Sequence, residues 1–340
     1  MKNPGTILVT GGAGYIGSHT CVELLTHGYD VVIVDNLVNS RREAVTRIGE
    51  IAGREPVFIE GDASSKPLMT ELFERFAFTG AIHFAALKAV GESVEKPLEY
   101  YRNNLDSLLT LVETMQSFNV RNLVFSSSAT VYGNPASVPI DESFPLSATN
   151  PYGQTKLMAE TILNDVAKAD PSWRIALLRY FNPVGAHESG RIGEDPAGIP
   201  NNLMPFVAQV AIGKRSALRV FGSDWNTPDG TGMRDYIHVV DLARGHLAAL
   251  SSLERLNRGF TVNLGTGRGY TVLDVVKAFE TASARPVPYE LTERRPGDIG
   301  SCYAATDLAR TLIGWEAEYD IDRMCADHWR WQLQNPDGYR

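Results

Sequence analysis

Cysteine is scarce in this 340-residue chain: Cys21, Cys302 and Cys325 are too few and too scattered to staple a disulfide framework or to ligate a metal ion. No apolar run reaches the roughly 18 residues that a membrane-spanning helix needs. The opening Met1-Lys2-Asn3-Pro4-Gly5 leads straight into a short apolar run without a signal-peptide core, so a cytoplasmic location is expected. Basic residues are outnumbered, 32 Lys and Arg against 40 Asp and Glu, and the net charge of −8 argues against nucleic acid or an anionic membrane as partner. Internal repeats, low-complexity tracts and flexible linkers are also missing, so one compact body with interleaved chain is expected. What remains is an ordinary globular composition, 44% hydrophobic and 21% charged, in a chain long enough to bury a large core.

The first stretch with a chemical meaning is the apolar run Thr6-Ile7-Leu8-Val9-Thr10, followed by Gly11-Gly12-Ala13-Gly14-Tyr15-Ile16-Gly17 and an amphipathic stretch from about Ser18 to Thr26. Strand, glycine loop and helix in that order match a dinucleotide-binding unit. Gly11 serves the tight turn, Gly14 the close approach of a pyrophosphate, and Gly17 the packing of helix on strand, while the helix N-terminus faces the phosphates. The next run, Val31-Val32-Ile33-Val34, ends in Asp35, eighteen residues past Gly17. A carboxylate there accepts hydrogen bonds from the adenosine ribose and repels a 2′-phosphate, which favours NAD over NADP.

The strand and helix alternation continues through Val57-Phe58-Ile59-Glu60, Ala81-Ile82-His83-Phe84-Ala85-Ala86, Asn122-Leu123-Val124-Phe125 and Ile175-Ala176-Leu177-Leu178, which reads as a Rossmann-type, doubly wound parallel α/β sheet. Asp62, just past a strand end, either bonds the adenine or caps a turn, and Lys88 falls near the nicotinamide ribose. Ser128 stands at the C-terminal end of its strand, where ligands of such sheets bind; a helix cap is the alternative reading. Asn150-Pro151 then predicts a helix start, placing Tyr152 and Lys156 one turn apart on one face. An ammonium beside a phenol favours phenolate and should lower its pKa toward neutrality, making Tyr152 a base toward an alcohol.

Past residue 182 the pattern loosens. Residues 183–200 are rich in Gly, Pro and charge and read as an irregular, functional loop. A glycine-rich turn presents Arg234, whose guanidinium suits bidentate phosphate binding, and Arg294-Arg295-Pro296-Gly297-Asp298 adds a second arginine site. We expect residues 1–182 to form the dinucleotide domain, with the chain returning to it around 235–265, and residues 183–340 to form mainly a smaller, mixed α/β substrate-binding region.

Taken jointly, the glycine loop with Asp35, Ser128, and the Tyr152 and Lys156 pair form a hydride-transfer apparatus. This combination resembles the extended short-chain dehydrogenase/reductase family. Residues 11–19, 83–89, 90–94, 125–133, 179–186, 198–205 and 232–239 look like its branch that inverts C4 of UDP-hexoses, across essentially the whole chain. The resemblance implies an isomerase that interconverts UDP-galactose and UDP-glucose through a transient 4-keto sugar, with tightly bound NAD. Ser128, Tyr152 and Lys156 would be catalytic. It further implies Tyr15, Ile16, Asn36, Phe84, Ala85, Asn103, Ser126 and Phe181 near the cofactor, with Gly11, Gly14, Gly17, Asp35, Asp62 and Lys88. Around the UDP-sugar it places Asn182, Asn202, Leu203, Phe221, Arg234, Arg295 and Asp298, and it implies a homodimer formed through a helix pair. Cys302 falls where the family carries either a bulky tyrosine or a smaller residue; its small side chain either leaves room for an N-acetyl group or only packs. Dehydratases and decarboxylases of the family carry carboxylates beside the serine, where this chain has Ala129 and Thr130. A net dehydrogenase and a non-catalytic NAD-binding regulator are the other readings.

Overall fold

The structure, a computed structural model, describes residues 4–196, 200, 202–295 and 297–339. Seven short runs rich in Val, Ile and Leu form its centre: β1 (Thr6–Thr10), β2 (Asp30–Asp35), β3 (Val57–Glu60), β4 (Phe78–His83), β5 (Asn122–Ser128), β6 (Arg174–Tyr180) and β7 (Phe260–Leu264). All pair in parallel, in the order β7-β6-β5-β4-β1-β2-β3. The chain runs outward from β1 to β3 on one side, then crosses back to β4 and runs outward on the other. The strand order therefore reverses between β1 and β4, and a crevice opens at their C-terminal ends.

Alternation along the strands explains why helices cover both faces. Ile7, Val9, Val31, Ile33, Ile82 and Val124 join one buried cluster, with α1 (Tyr15–Thr26), α2 (Arg42–Ala52) and α8 (Val239–Leu256) packed over them. The intervening Leu8, Val32, Val34, Ala81 and Leu123 join the other, under α3 (Lys66–Arg75), α5 (Pro97–Ser117) and α6 (Pro151–Ala169). Short α4 (Val90–Glu95) precedes α5, and Pro97, lacking an N–H, starts the new helix. Cys21 is buried in the first of these clusters.

A third cluster holds α7 (Leu203–Ala211), α9 (Val272–Ser283) and α11 (Ile321–Gln334) against the strand Leu218–Phe221, with Cys325 inside it. α10 (Asp307–Ile313) packs beside β7. Strands here are short and mixed: Met233–Arg234 pairs antiparallel with Tyr270–Thr271 and parallel with Ser301–Cys302. Part of the expected irregular stretch is regular, since Asn182–Val184 pairs in parallel with Tyr236–His238. Helix α1 also begins three residues earlier than its amphipathic pattern suggests, because backbone at Gly14 caps it rather than a side chain. Within the described residues, α8 and β7 (239–264) pack on the large sheet rather than on the third cluster. No described helix is long and apolar enough to cross a membrane.

Candidate functional site

The glycine loop lies at the reversal point of the sheet. Gly11 has φ +72°, and a Cβ there would sit 2.7 Å from the Ala85 backbone nitrogen. At Gly17 a Cβ would be 2.4 Å from the Gly11 carbonyl oxygen. The two glycines let the loop from β1, the end of β4 and the first turn of α1 close on one another. Gly14 caps α1 without a side chain, which leaves the first-turn N–H groups at Tyr15 and Ile16 to face an anion. Asp35, at the end of β2, accepts from the Ala13 N–H (3.0 Å), the Leu37 N–H (2.9 Å) and the Ser40 hydroxyl (2.7 Å). The carboxylate expected to meet a ribose thus also holds the loop expected to meet the phosphates. A small-residue cradle at a helix N-terminus, with an acid at the neighbouring strand end, fits a dinucleotide.

Other expected cofactor residues ring this cradle. Asp62 accepts from the Ser64 N–H (2.8 Å) and hydroxyl, a turn after β3, and Asn36 accepts from the Val38 N–H (3.2 Å). Phe84 packs on His246 with ring centroids 4.8 Å apart. The half-buried Tyr15 donates from its hydroxyl to the Gly185 carbonyl (2.8 Å), and desolvation, with Glu194 nearby, pushes its pKa well up. Lys88 lies 5.9 Å from the Tyr15 ring centroid and 3.6 Å from the Glu194 carboxylate. Asn103 donates to Asn104, whose side chain clamps both polar groups of the Leu87 backbone and also donates to the Thr155 hydroxyl on α6.

The chemistry-bearing residues meet where β5 ends against α6. The Asn150 side chain caps that helix by accepting from the Gly153 N–H (2.8 Å), with Pro151 in its first turn. Tyr152, Lys156, Ala159, Glu160 and Leu163 form its buried stripe. Lys156 Nζ donates to the Ser126 carbonyl (2.6 Å) and lies 6.0 Å from the Tyr152 ring centroid. The Ser128 hydroxyl accepts from the Thr130 N–H (3.2 Å) and the Thr130 hydroxyl (3.0 Å), and it lies close enough to the Tyr152 phenol to pull its pKa down. The Ser126 hydroxyl pairs with Tyr180 on β6.

The direction expected for the tyrosine's pKa is reversed in the protein on its own. Burial pushes the phenol up to about 12, and the Ser128 hydrogen bond pulls only weakly the other way. Burial also pushes Lys156 down to about 8, against the pull of Glu160. The sequence pattern carries the adjacency of the two groups but not the desolvation, which is the larger effect here.

Of the expected substrate residues, Leu203 packs against the third cluster and Cys302 belongs to a separate buried cluster. Asn202 donates to Glu194 (2.6 Å) and stands at the N-terminus of α7, where Leu203 is the first residue. Residues 198, 199 and 201 of the motif around them lie outside the described residues. The Asn182 N–H donates to the Asp235 carbonyl, and the N–H of the buried Phe181 donates to the Leu264 carbonyl. Arg234 Nη1 donates to the carbonyls of Met233 (2.8 Å) and Gly300 (3.4 Å). Arg295 stacks 4.6 Å from the Phe221 ring centroid and pairs with Asp298 at 3.0 Å. Arg234 thus touches Gly300, five residues past Arg295. Cys302 lies beside Arg234 in the strand register and is buried among Val131, Tyr132, Ile140, Phe181 and Ala304. Burial pushes its thiol up to about 11, so it packs as a neutral group.

Sequence reasoning passed over Glu194, which links Lys88 to Asn202 and has one carboxylate oxygen buried without a partner among the described residues. It also passed over Glu160, although that residue stands four past Lys156 on the same stripe. A carboxylate in the apolar register of a helix was the available signal. Among the described residues no group of three His, Cys, Asp or Glu is arranged to hold a metal ion.

The NAD dependent epimerase/dehydratase family model matches residues 7–265. UDP-glucose 4-epimerase from Bacillus subtilis is 58% identical over 334 residues, covering 98% of each chain, and the human UDP-glucose 4-epimerase is 55% identical over 340 residues, again 98% of each. Among solved structures, UDP-glucose 4-epimerase from Bifidobacterium longum in complex with NAD+ and UDP superposes with TM-score 0.94 at 54% identity, covering 98% of this chain and 99% of that one. The epimerase from Stenotrophomonas maltophila, with bound NAD and formylated UDP-arabinopyranose, gives TM-score 0.96 at 49% identity with the same coverage.

Proposed function

The chain belongs to the NAD dependent epimerase/dehydratase family, and we propose that within it this enzyme interconverts UDP-galactose and UDP-glucose by oxidising and re-reducing the sugar at C4. The observation that carries the reading is the meeting of Ser128, Tyr152 and Lys156 at the C-terminal end of β5, beside the glycine cradle. Bound NAD supplies a reversible acceptor for the C4 hydride. Tyr152 takes the C4 hydroxyl proton and later returns it, Ser128, beside the phenol, orients that hydroxyl, and Lys156 holds positive charge near the phenol. Arg234 and Arg295 would bind the diphosphate, so that the sugar can present either face while the nucleotide stays anchored. Asn182, Asn202, Leu203, Phe221, Asp298 and Cys302 would line the sugar and uridine side. In place of the carboxylates that elimination or decarboxylation needs stand Ala129 and Thr130.

Cys302 further suggests that N-acetylated UDP-hexoses are accepted, since a small side chain stands there, packed in one cluster with Phe181. The functional division runs at about residue 182, with residues 235–265 rejoining the dinucleotide half. A homodimer through α5 and α6 is supported by the exposed apolar residues Leu98 and Leu109 on α5 and Met158 on α6. Three free cysteines, all buried, suit a cytoplasmic enzyme. The deciding experiment incubates the purified protein with UDP-galactose and no added NAD. Formation of UDP-glucose without accumulating NADH is expected; accumulating NADH would mean a net dehydrogenase, and no product would leave only binding.

A further inference from the structure

The end of β5 is a run of three serines, and each meets a successive turn of α6. Ser128 lies beside Tyr152, the Ser126 carbonyl takes the Lys156 ammonium, and the Ser127 hydroxyl donates to Glu160 Oε1 at 2.5 Å. The first two contacts hold reacting groups. The third holds a carboxylate that touches neither the phenol nor the hydroxyl, yet it is the most heavily tied of the three. Arg179, on β6, grips Glu160 with both arms of its guanidinium, Nε to Oε1 at 2.9 Å and Nη2 to Oε2 at 2.6 Å. Both side chains are almost fully buried.

The tie extends further. Arg179 Nη1 donates to the Tyr132 hydroxyl (3.1 Å) and the Glu142 carbonyl (3.2 Å), Tyr132 donates to Asn263 Oδ1 (2.7 Å), and Asn263 donates to the Ile140 carbonyl (2.9 Å). Tyr132 and Ile140 pack directly with Cys302 and Phe181. One polar chain therefore runs from the catalytic helix through β6 and β7 to the wall beside the sugar site. A buried ion pair of this kind is a poor means of stabilisation, because well-packed apolar residues of equal volume commonly do as well or better. What it provides is direction: a two-pronged, charge-assisted contact admits one relative placement of helix and strand.

We propose that Glu160, clamped by Arg179 and Ser127, is a positioning residue that sets Tyr152 and Lys156 against the end of β5 for proton transfer. The inference rests on the epimerase reading above. Without the clamp, α6 keeps its apolar contacts but loses the contact that fixes its rotation about its axis, and the phenol strays from Ser128. Displacements of about an ångström at a reacting centre cost rates of up to about 100-fold.

The test uses the full chain loaded with NAD. Wild type, Glu160→Gln and Ser127→Ala are assayed for kcat and KM on UDP-galactose, for bound NAD per chain, and for the single-turnover rate at which the sugar reduces the bound nicotinamide, read by its absorbance. We expect both variants to keep bound NAD and a KM within about threefold, while kcat and the reduction rate fall together by about 10- to 100-fold, less for Ser127→Ala. A clamp that served only folding would lower the melting temperature and leave the reduction rate of folded, loaded protein at the wild-type value; that result overturns the proposal. If Glu160→Gln fails to fold, Ser127→Ala decides alone by the same criterion. Wild type that fails to convert UDP-galactose sinks the functional reading and this proposal with it, whereas active wild type with equally active variants sinks the proposal only.

Discussion

Replacing Lys156 by methionine separates two ways in which this residue can act. The ammonium lies 6.0 Å from the centre of the Tyr152 ring. With an effective dielectric of about 20, a unit charge at that distance stabilises phenolate by about 2.8 kcal/mol, or about two pKa units. That help is needed, because burial pushes the phenol up to about 12. The lysine's own burial bounds the window: with its pKa pushed down to about 8, Lys156 is charged below that pH and loses its charge as pH rises through it. Its effect on the phenol is therefore greatest near neutrality and fades in mild base.

In Lys156→Met the phenolate population near pH 7 should fall about 100-fold, and kcat with it. The rising limb of log kcat against pH should move about two units upward, so that variant and wild type draw together above pH 8, where the wild-type lysine is itself neutral. The methionine refills the apolar volume but leaves the Ser126 carbonyl without its 2.6 Å donor, a cost of about 1–3 kcal/mol in stability. The assay is UDP-glucose formation from UDP-galactose over a pH series, with bound NAD measured in the same samples. A loss of activity equal at every pH would refute the electrostatic argument, leaving Lys156 only as a tether for Ser126 and the cofactor.

Tyr152→Phe should lose about 100-fold or more in kcat and keep its NAD, since the ring still fills the buried site; near wild-type turnover would remove the assigned base. Cys302→Tyr should obstruct N-acetylated UDP-hexoses by about 10- to 200-fold relative to UDP-galactose, and an unchanged ratio of the two kcat/KM values would reduce Cys302 to a packing residue. Gly17→Ala would drive a methyl to 2.4 Å from the Gly11 carbonyl oxygen, so a loss of about 1–3 kcal/mol by denaturant unfolding, together with weakened NAD retention, is expected; unaltered stability would contradict the close packing.

Much of the fold and of the site is legible in local chemistry. The glycine spacing, Asp35 at a strand end, and the Asn150-Pro151 cap are each decided by neighbours within a few residues, and the folded chain has each of them in the expected place. The central strands announce themselves as Val- and Ile-rich runs because both of their faces are buried. Two kinds of feature are not written locally. Partners brought together only by the fold, such as Arg179 with Glu160 or Lys88 with Glu194, leave no mark beyond a charge in a buried register. Burial itself is the other, and it inverts the expected direction at Tyr152, where the neighbouring charge is visible in the sequence but the desolvation is not.

That inversion bears on why the site is built in two unlike halves. Burial makes the Tyr152 phenolate the stronger base and the phenol the weaker acid, so positive charge beside it must offset the desolvation if the proton is to move both ways within each turnover. The same dryness would make a diphosphate costly to admit beside it. The arginines expected to take that charge stand elsewhere, Arg295 more than half exposed at the Phe221 strand and Arg234 partly buried on the Met233–Arg234 strand. On the proposed reading, proton transfer would take place at the buried C-terminal end of β5 and charge would be bound on the open rim of the C-terminal region. The substrate would then be held chiefly at its diphosphate rather than by its ring, which is what turning the sugar over requires.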